Sequence, residues 1–268
     1  MSRLAHAFDP TGAPRLVAYV TAGDPDLPRS RDVLLALARG GADVLEVGVP
    51  FSDPIADGPT IQRAQERALA AGGTLRTTLD LIAGVRKEIT VPIVLFTYVN
   101  PIERMGVDRF VEQAAAAGVD GALLLDLPIE ESASMHAALD SRGIDQIFLV
   151  SPTTTDARLR EAGRLGRGFL YAISRLGVTG ARDAVATSAS PLVARIKAIT
   201  TLPVALGFGI SRPEHVREVM GYADAAVVGS AIVQVIADTA AAGGDVARAV
   251  EAFITWLKGG TERGHGAV

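Results

Sequence analysis

Three carboxylates fall within the run Leu45-Glu46-Val47-Gly48-Val49-Pro50-Phe51-Ser52-Asp53-Pro54-Ile55-Ala56-Asp57-Gly58-Pro59. The first interrupts an apolar stretch of β type. Side chains alternate along a strand, so Leu45, Val47 and Val49 share one face and Val44, Glu46 and Gly48 the other. A face of branched residues suits packing against helices. Glu46 is therefore directed to the enclosed side of a sheet, with Gly48 leaving room beside it. An ionised carboxylate is costly to bury without a partner. Two roles stay open for Glu46: a structural acid paired with an arginine from a neighbouring strand, or a general acid/base with a pKa lifted by dry surroundings. Asp57 lies further on, at a separation an extended chain stretches to roughly 36 Å. Only a loop that folds back brings both acids to one ligand, and Pro50, Pro54, Gly58 and Pro59 favour one. On chemistry alone, Asp53 and Asp57 read as turn residues.

The elements that position these groups are legible as a repeat. Eight apolar runs occur near 15–21, 43–49, 92–97, 120–125, 145–150, 168–173, 202–207 and 223–228. Mostly apolar runs without strict alternation suit parallel strands buried on both faces. Helical spacing follows in Arg31–Gly40, Ile61–Ala71, Arg109–Ala117, Asp156–Gly166, Pro191–Ile199 and Pro213–Gly221, and an extra helix fits 74–89. Ser211-Arg212-Pro213-Glu214 reads as a capping box with Ser211 as N-cap, while Gly40-Gly41 and Gly221 sit where helices should stop. Eight strand–helix units without a low-complexity linker predict an α/β fold, one single-domain (β/α)8 TIM barrel with extra short helices over residues 1–268. Residues 259–268 read as a flexible tail. A doubly wound open sheet is disfavoured, because Thr21-Ala22-Gly23-Asp24-Pro25 does not match a dinucleotide-binding fingerprint.

Composition narrows the function. The 268 residues are 49% hydrophobic and 21% charged, ordinary for a globular protein with a generous core. A net charge of -4 and no cluster of Lys and Arg argue against nucleic acid. Without cysteine, thiolate catalysis, disulfides and cysteine metal sites are excluded. His6, His136, His215 and His265 show no metal-ligand spacing, so no metal site is expected. No apolar run reaches the roughly 18 residues of a membrane span, and a cytoplasmic location is expected.

Barrel active sites lie at the C-terminal ends of the strands, with phosphate often bound after strands seven and eight. Strand seven here ends in Gly207-Phe208-Gly209-Ile210. Strand eight ends in Gly229-Ser230, opening the apolar helix Ala231-Ile232-Val233-Gln234-Val235-Ile236. Glycines let backbone N–H groups approach an anion, and a helix N-terminus adds a favourable dipole. Strand six leads into Ser174-Arg175-Leu176-Gly177-Val178-Thr179-Gly180, whose glycines close a third side. Together these predict a phosphate-bearing ligand. The glycines and small residues over 174–190 also imply a mobile loop.

The segments LEVGVPFSDPIADGPTIQ, SRLGVTGAR, GFGI with SRPEHV after it, and GSAI together resemble the tryptophan synthase α subunit family. The likeness runs from TAGDP near residue 21 to the GSAI segment. It implies a (β/α)8 barrel that cleaves indole-3-glycerol phosphate into indole and glyceraldehyde 3-phosphate for L-tryptophan biosynthesis. By this resemblance Glu46 is the general acid/base and Asp57 the acid at the indole nitrogen. Tyr171 lines the site, Phe208 and Ile210 flank the phosphate contacts Gly180, Gly209, Gly229 and Ser230, and Thr179 meets Asp57 on loop closure. It also implies docking on a β subunit in an α2β2 assembly, indole passing to that subunit, with Pro50 and Asp53 in the communicating loop. No cofactor is implied in this chain, PLP being expected in the β subunit. Tyr19 stands where the family often has phenylalanine, and Phe96 where it often has leucine, adding polarity or bulk at the indole pocket.

Retro-aldol cleavage needs an electron sink, which aldolases commonly supply with a Schiff-base lysine or a metal. Lys87, Lys197 and Lys258 all fall in helical stretches. An indole ring supplies its own sink once its C3 carbon is protonated. Two alternatives accompany this reading: a stand-alone lyase that releases free indole, and a non-catalytic phosphate-binding barrel.

Overall fold

The computed structural model describes residues 2–8, 15–173, 189–207 and 209–259. Eight strands run β1 Leu16–Thr21, β2 Val44–Gly48, β3 Ile93–Thr97, β4 Gly121–Leu124, β5 Asp145–Val150, β6 Leu170–Ile173, β7 Val204–Gly207 and β8 Ala225–Val228. Each pairs in parallel with the next, and β8 closes on β1 to complete a barrel. The helices are α1 Arg3–Ala7, α2 Leu27–Arg39, α3 Pro59–Ala70, α4 Leu75–Val85, α5 Val99–Met105, α6 Val107–Ala117, α7 Ala133–Asp140, α8 Asp156–Leu165, α9 Ala189–Lys197, α10 Pro213–Met220, α11 Ser230–Ala241 and α12 Val246–Leu257. The predicted (β/α)8 barrel with additional helices is the fold found. No helix among the described residues is long and apolar enough to cross a membrane.

Two apolar layers follow from the strand alternation. Outward residues such as Leu45, Val47, Leu95, Ala122 and Leu206 pack against the helices. Inward residues Val17, Val44, Val94, Leu123, Ile147, Phe169, Ala205, Ala225 and Val227 fill the barrel around Leu4 of α1. Leu4 is fully buried, and Cβ atoms on Gly121 or Gly168 would crowd its side chain. Ser2 and Arg3 fix α1 there, through a 2.6 Å bond from the Ser2 hydroxyl to Asp145 and a 2.8 Å ion pair from Arg3 to Asp120. The N-terminal end of the barrel is thus plugged, leaving the opposite end for a ligand.

Helix boundaries show where local signals held. Gly40 ends α2 and Gly221 ends α10, as their positions predict. The capping box at Ser211 does not form. Pro213 occupies the first turn of α10, Arg212 is its N-cap, and the Ser211 N–H instead donates to His215 Nδ1 at 3.4 Å. A capping box does form where none was predicted, between Thr74 and Thr77 at the start of α4.

Candidate active site

The inward positions one step beyond the apolar plug build the site. In register, Tyr19 of β1 stands beside Glu46 of β2, and Gly48 of β2 beside Phe96 of β3. Tyr19, Glu46 and Phe96, with Asp57, Ile61, Leu125, Leu149, Tyr171, Ile173, Ile210 and Gly229, surround a cavity of about 160 Å³. Tyr19 and Phe96 meet edge to face with ring centroids 5.1 Å apart, the favoured aromatic geometry. The room beside Gly48 is taken by Tyr19: a Cβ on Gly48 would lie 2.9 Å from the ring carbon bearing its hydroxyl. Gly207 accommodates Tyr171 in the same way, its Cβ position being 2.6 Å from that hydroxyl.

Glu46 is fully buried, and neither carboxylate oxygen has a hydrogen-bond partner among the described residues. An arginine partner is therefore not found for it, and no arginine or lysine lines the cavity among the described residues. Burial first, and the neighbouring Asp57 charge second, push its pKa up to about 8. The loop after β2 does fold back. Asp57 is 3% exposed and lines the same cavity. Burial raises its pKa to about 6, against the opposing pull of hydrogen bonds from Tyr98 and Gln65. Both donors reach Asp57 Oδ2, the Tyr98 hydroxyl at 3.2 Å and Gln65 Nε2 at 3.1 Å. Oδ1 is left without such a partner among the described residues.

Neither donor was singled out from sequence, although Gln65 carried a signal. It lies on the buried face of α3 with Ile61, Ala64 and Ala68, at a spacing where apolar residues belong. A buried glutamine needs partners, and here they are Asp57 and the Phe51 N–H at 2.9 Å. Tyr98 follows β3 directly and accepts the Ala56 N–H at 3.1 Å.

Gly209, Gly229 and Ser230, after β7 and β8, line the same cavity. Gly209 has φ +71°, a left-handed conformation that favours glycine. Ser230 opens α11, which runs to Ala241, longer than the apolar segment suggested. The first helical bond at this end is Val233 N–H to Gly229 C=O at 3.0 Å. The Ser230, Ala231 and Ile232 N–H groups precede it, as at any helix start, and form an electropositive end suited to an anion. Thr179, Gly180 and Phe208, and the loop over 174–188, lie outside the described residues, as do residues 260–268.

Pro50 is buried, and a Cβ on Gly73 would meet its ring, whereas Asp53 is exposed. Asp53 borders an outer groove with Phe51, Ser52, Ile55 and Leu69, and Ile55 is 83% exposed. The lysines stand elsewhere. Lys197 and Lys258 pair with Asp224 and Asp43 at 2.9 and 2.8 Å, acids that precede β8 and β2 at the plugged end. Lys87 precedes β3 at that end too. Among the described residues no group of three or more His, Asp or Glu is placed to hold a metal ion.

A buried acid/base pair and a helix N-terminus thus line one aromatic-walled cavity, a site suited to proton transfer on an aromatic anion. A family model described as Tryptophan synthase alpha chain matches residues 7–261. The chain is 49% identical over 261 residues to the tryptophan synthase alpha chain of Geobacter sulfurreducens, a match spanning 96% of this chain and 98% of that one. It is 49% identical over 243 residues to that of Solibacter usitatus, spanning 90% and 91%. Among solved structures, Mycobacterium tuberculosis tryptophan synthase matches with TM-score 0.88 and 38% identity over 98% of this chain and 99% of that one. A chain from the tryptophan synthase a2b2 complex of Pyrococcus furiosus matches with TM-score 0.85 and 40% identity over 91% and 98%.

Proposed function

From the premise that this chain belongs to the tryptophan synthase alpha chain family, we infer that it cleaves indole-3-glycerol phosphate into indole and glyceraldehyde 3-phosphate. It acts as one catalytic domain in L-tryptophan biosynthesis, in the cytoplasm, and passes indole to a PLP-dependent beta subunit within an α2β2 assembly. The chain itself uses no cofactor. The observation that carries this reading is Glu46, buried without a hydrogen-bond partner among the described residues and lining one cavity with Asp57 and the N-terminus of α11.

The substrate phosphate sits on the N–H groups at Gly209, Gly229 and Ser230, where the α11 dipole favours negative charge. The indole ring lies among Tyr19, Phe96, Leu125 and Leu149, with Tyr171 and Ile210 closing the sides. Glu46 starts protonated, as its raised pKa favours, and delivers the proton to C3 of the indole. The ring becomes an iminium whose positive charge is stabilised by ionised Asp57. The bond from C3 to the glycerol carbon then breaks, its electron pair returning to the ring. The hydroxyl on that carbon loses its proton to Glu46, giving the aldehyde and restoring the acid. Positioned proton transfer of this kind contributes about 10²–10⁴-fold. Fixed charge in a dry site contributes further.

The groove bordered by Asp53 and exposed Ile55 supports docking of the beta subunit beside the Asp57 loop. The test is an indole-3-glycerol phosphate cleavage assay with the chain alone and with a beta subunit. Stoichiometric indole and glyceraldehyde 3-phosphate, with direct consumption of indole in the mixed assembly, is the expected result. Free indole released at an unchanged rate, with no complex on gel filtration, would identify a stand-alone lyase. No cleavage under either condition would refute the assignment.

A further inference from the structure

Phe51 lies outside the catalytic cavity, yet both groups that hold Asp57 lean on it. Its backbone N–H donates to Gln65 Oε1 at 2.9 Å, while Gln65 Nε2 reaches Asp57 Oδ2 at 3.1 Å. Its ring packs against that of Tyr98, centroids 4.9 Å apart at 31°, and the Tyr98 hydroxyl reaches the same Oδ2. Two arms from one residue therefore converge on one carboxylate oxygen. The fit restrains Gln65 strongly: with its oxygen committed to an N–H, its amide must present N–H to Asp57.

We propose that Phe51 is a positioning residue, which through Gln65 and Tyr98 keeps Asp57 ionised and aims Oδ1 into the cavity. This rests on the role given to Asp57 above. Donors to a carboxylate stabilise its charged form, and a hydrogen bond to a charged group is stronger than one between neutral groups. Titratable groups facing Asp57 among the described residues are Tyr19 on β1, Glu46 on β2, Tyr98 ahead of α5 and Tyr171 on β6. The tyrosines are neutral across the working range, since burial raises each of them. Glu46 keeps its proton where Asp57 titrates, so what opposes the two arms is burial.

The test is the pH dependence of kcat/KM for indole-3-glycerol phosphate cleavage by the full chain. In Gln65→Leu and Tyr98→Phe the acid limb should move to higher pH by on the order of one unit. Phe51→Ala keeps the backbone N–H that holds Gln65 and loses the ring that holds Tyr98, so it should move the limb the same way, less than additively with Tyr98→Phe and close to additively with Gln65→Leu. Phe51→Tyr, which keeps the ring, should restore the wild-type limb. If Phe51→Ala is poorly folded, Phe51→Leu carries the same expectation. Phe51 variants that lower kcat with the acid limb unmoved would overturn the proposal. An acid limb that survives Asp57→Asn would instead show that Asp57 is not the titrating group, which is a failure of the role assigned to Asp57.

Discussion

The negative charge of Asp57 acts on the carboxyl of Glu46 from within the same cavity, so the two acids titrate as a pair. Glu46 must be protonated and Asp57 ionised at the start of the reaction. The active form therefore exists above the Asp57 pKa of about 6 and below the Glu46 pKa of about 8. A plot of kcat/KM against pH should be bell-shaped, rising near the first value and falling near the second. In Asp57→Asn the residual rate should lose its rising limb. Its falling limb should move to lower pH, because a charge that held the Glu46 proton is gone. A wild-type rate that climbs steadily through pH 9 would contradict this assignment of proton states.

The same raised pKa makes Glu46 a liability for folding. In the folded protein it keeps its proton up to about pH 8, whereas an unfolded glutamate releases it near its usual value of about 4.3. Between those values the folded state binds more protons, so stability falls as pH rises, at up to about 1.4 kcal/mol per pH unit. Glu46→Gln removes that dependence. Urea unfolding of the two proteins should show the variant gaining on wild type between pH 5 and pH 8. A difference that stays flat across that interval would mean that Glu46 is not buried neutral.

Gly48 has a packing role that bears on substrate. A Cβ there would stand 2.9 Å from the Tyr19 ring carbon bearing its hydroxyl and 3.0 Å from its neighbour Cε2, closer than packed carbons approach. Gly48→Ala should push the ring into the cavity, raising KM at least tenfold, about 1.4 kcal/mol of lost binding. Overpacking commonly costs about 1–3 kcal/mol in stability as well. Adding Tyr19→Phe removes the hydroxyl contact and should recover part of the KM. If Gly48→Ala leaves KM unchanged, Tyr19 does not border the substrate.

The barrel was readable because buried parallel strands leave long apolar runs, and all eight appear within a few residues of their predicted places. Glu46 was readable by contrast, as one acid on an inward face. Local rules failed where the fold overrode them. Pro213 set the start of α10, which left Ser211 one residue too early to cap it. Gly48 showed only that space existed; that Tyr19 of the adjacent strand fills it depends on register. Tyr98 and Gln65 are separated by 33 positions, and only closure of the β2 loop brings both to Asp57. Gln65 alone could have been noticed, as a polar residue at an apolar spacing.

The proton carried by Glu46 is measured most directly by single-turnover cleavage of indole-3-glycerol phosphate by Glu46→Gln. Affinity for a substrate analogue lacking the reacting hydroxyl should match wild type, while the cleavage rate falls at least about a hundredfold. Cleavage by Glu46→Gln at more than about a tenth of the wild-type rate, with the analogue bound normally, would contradict it.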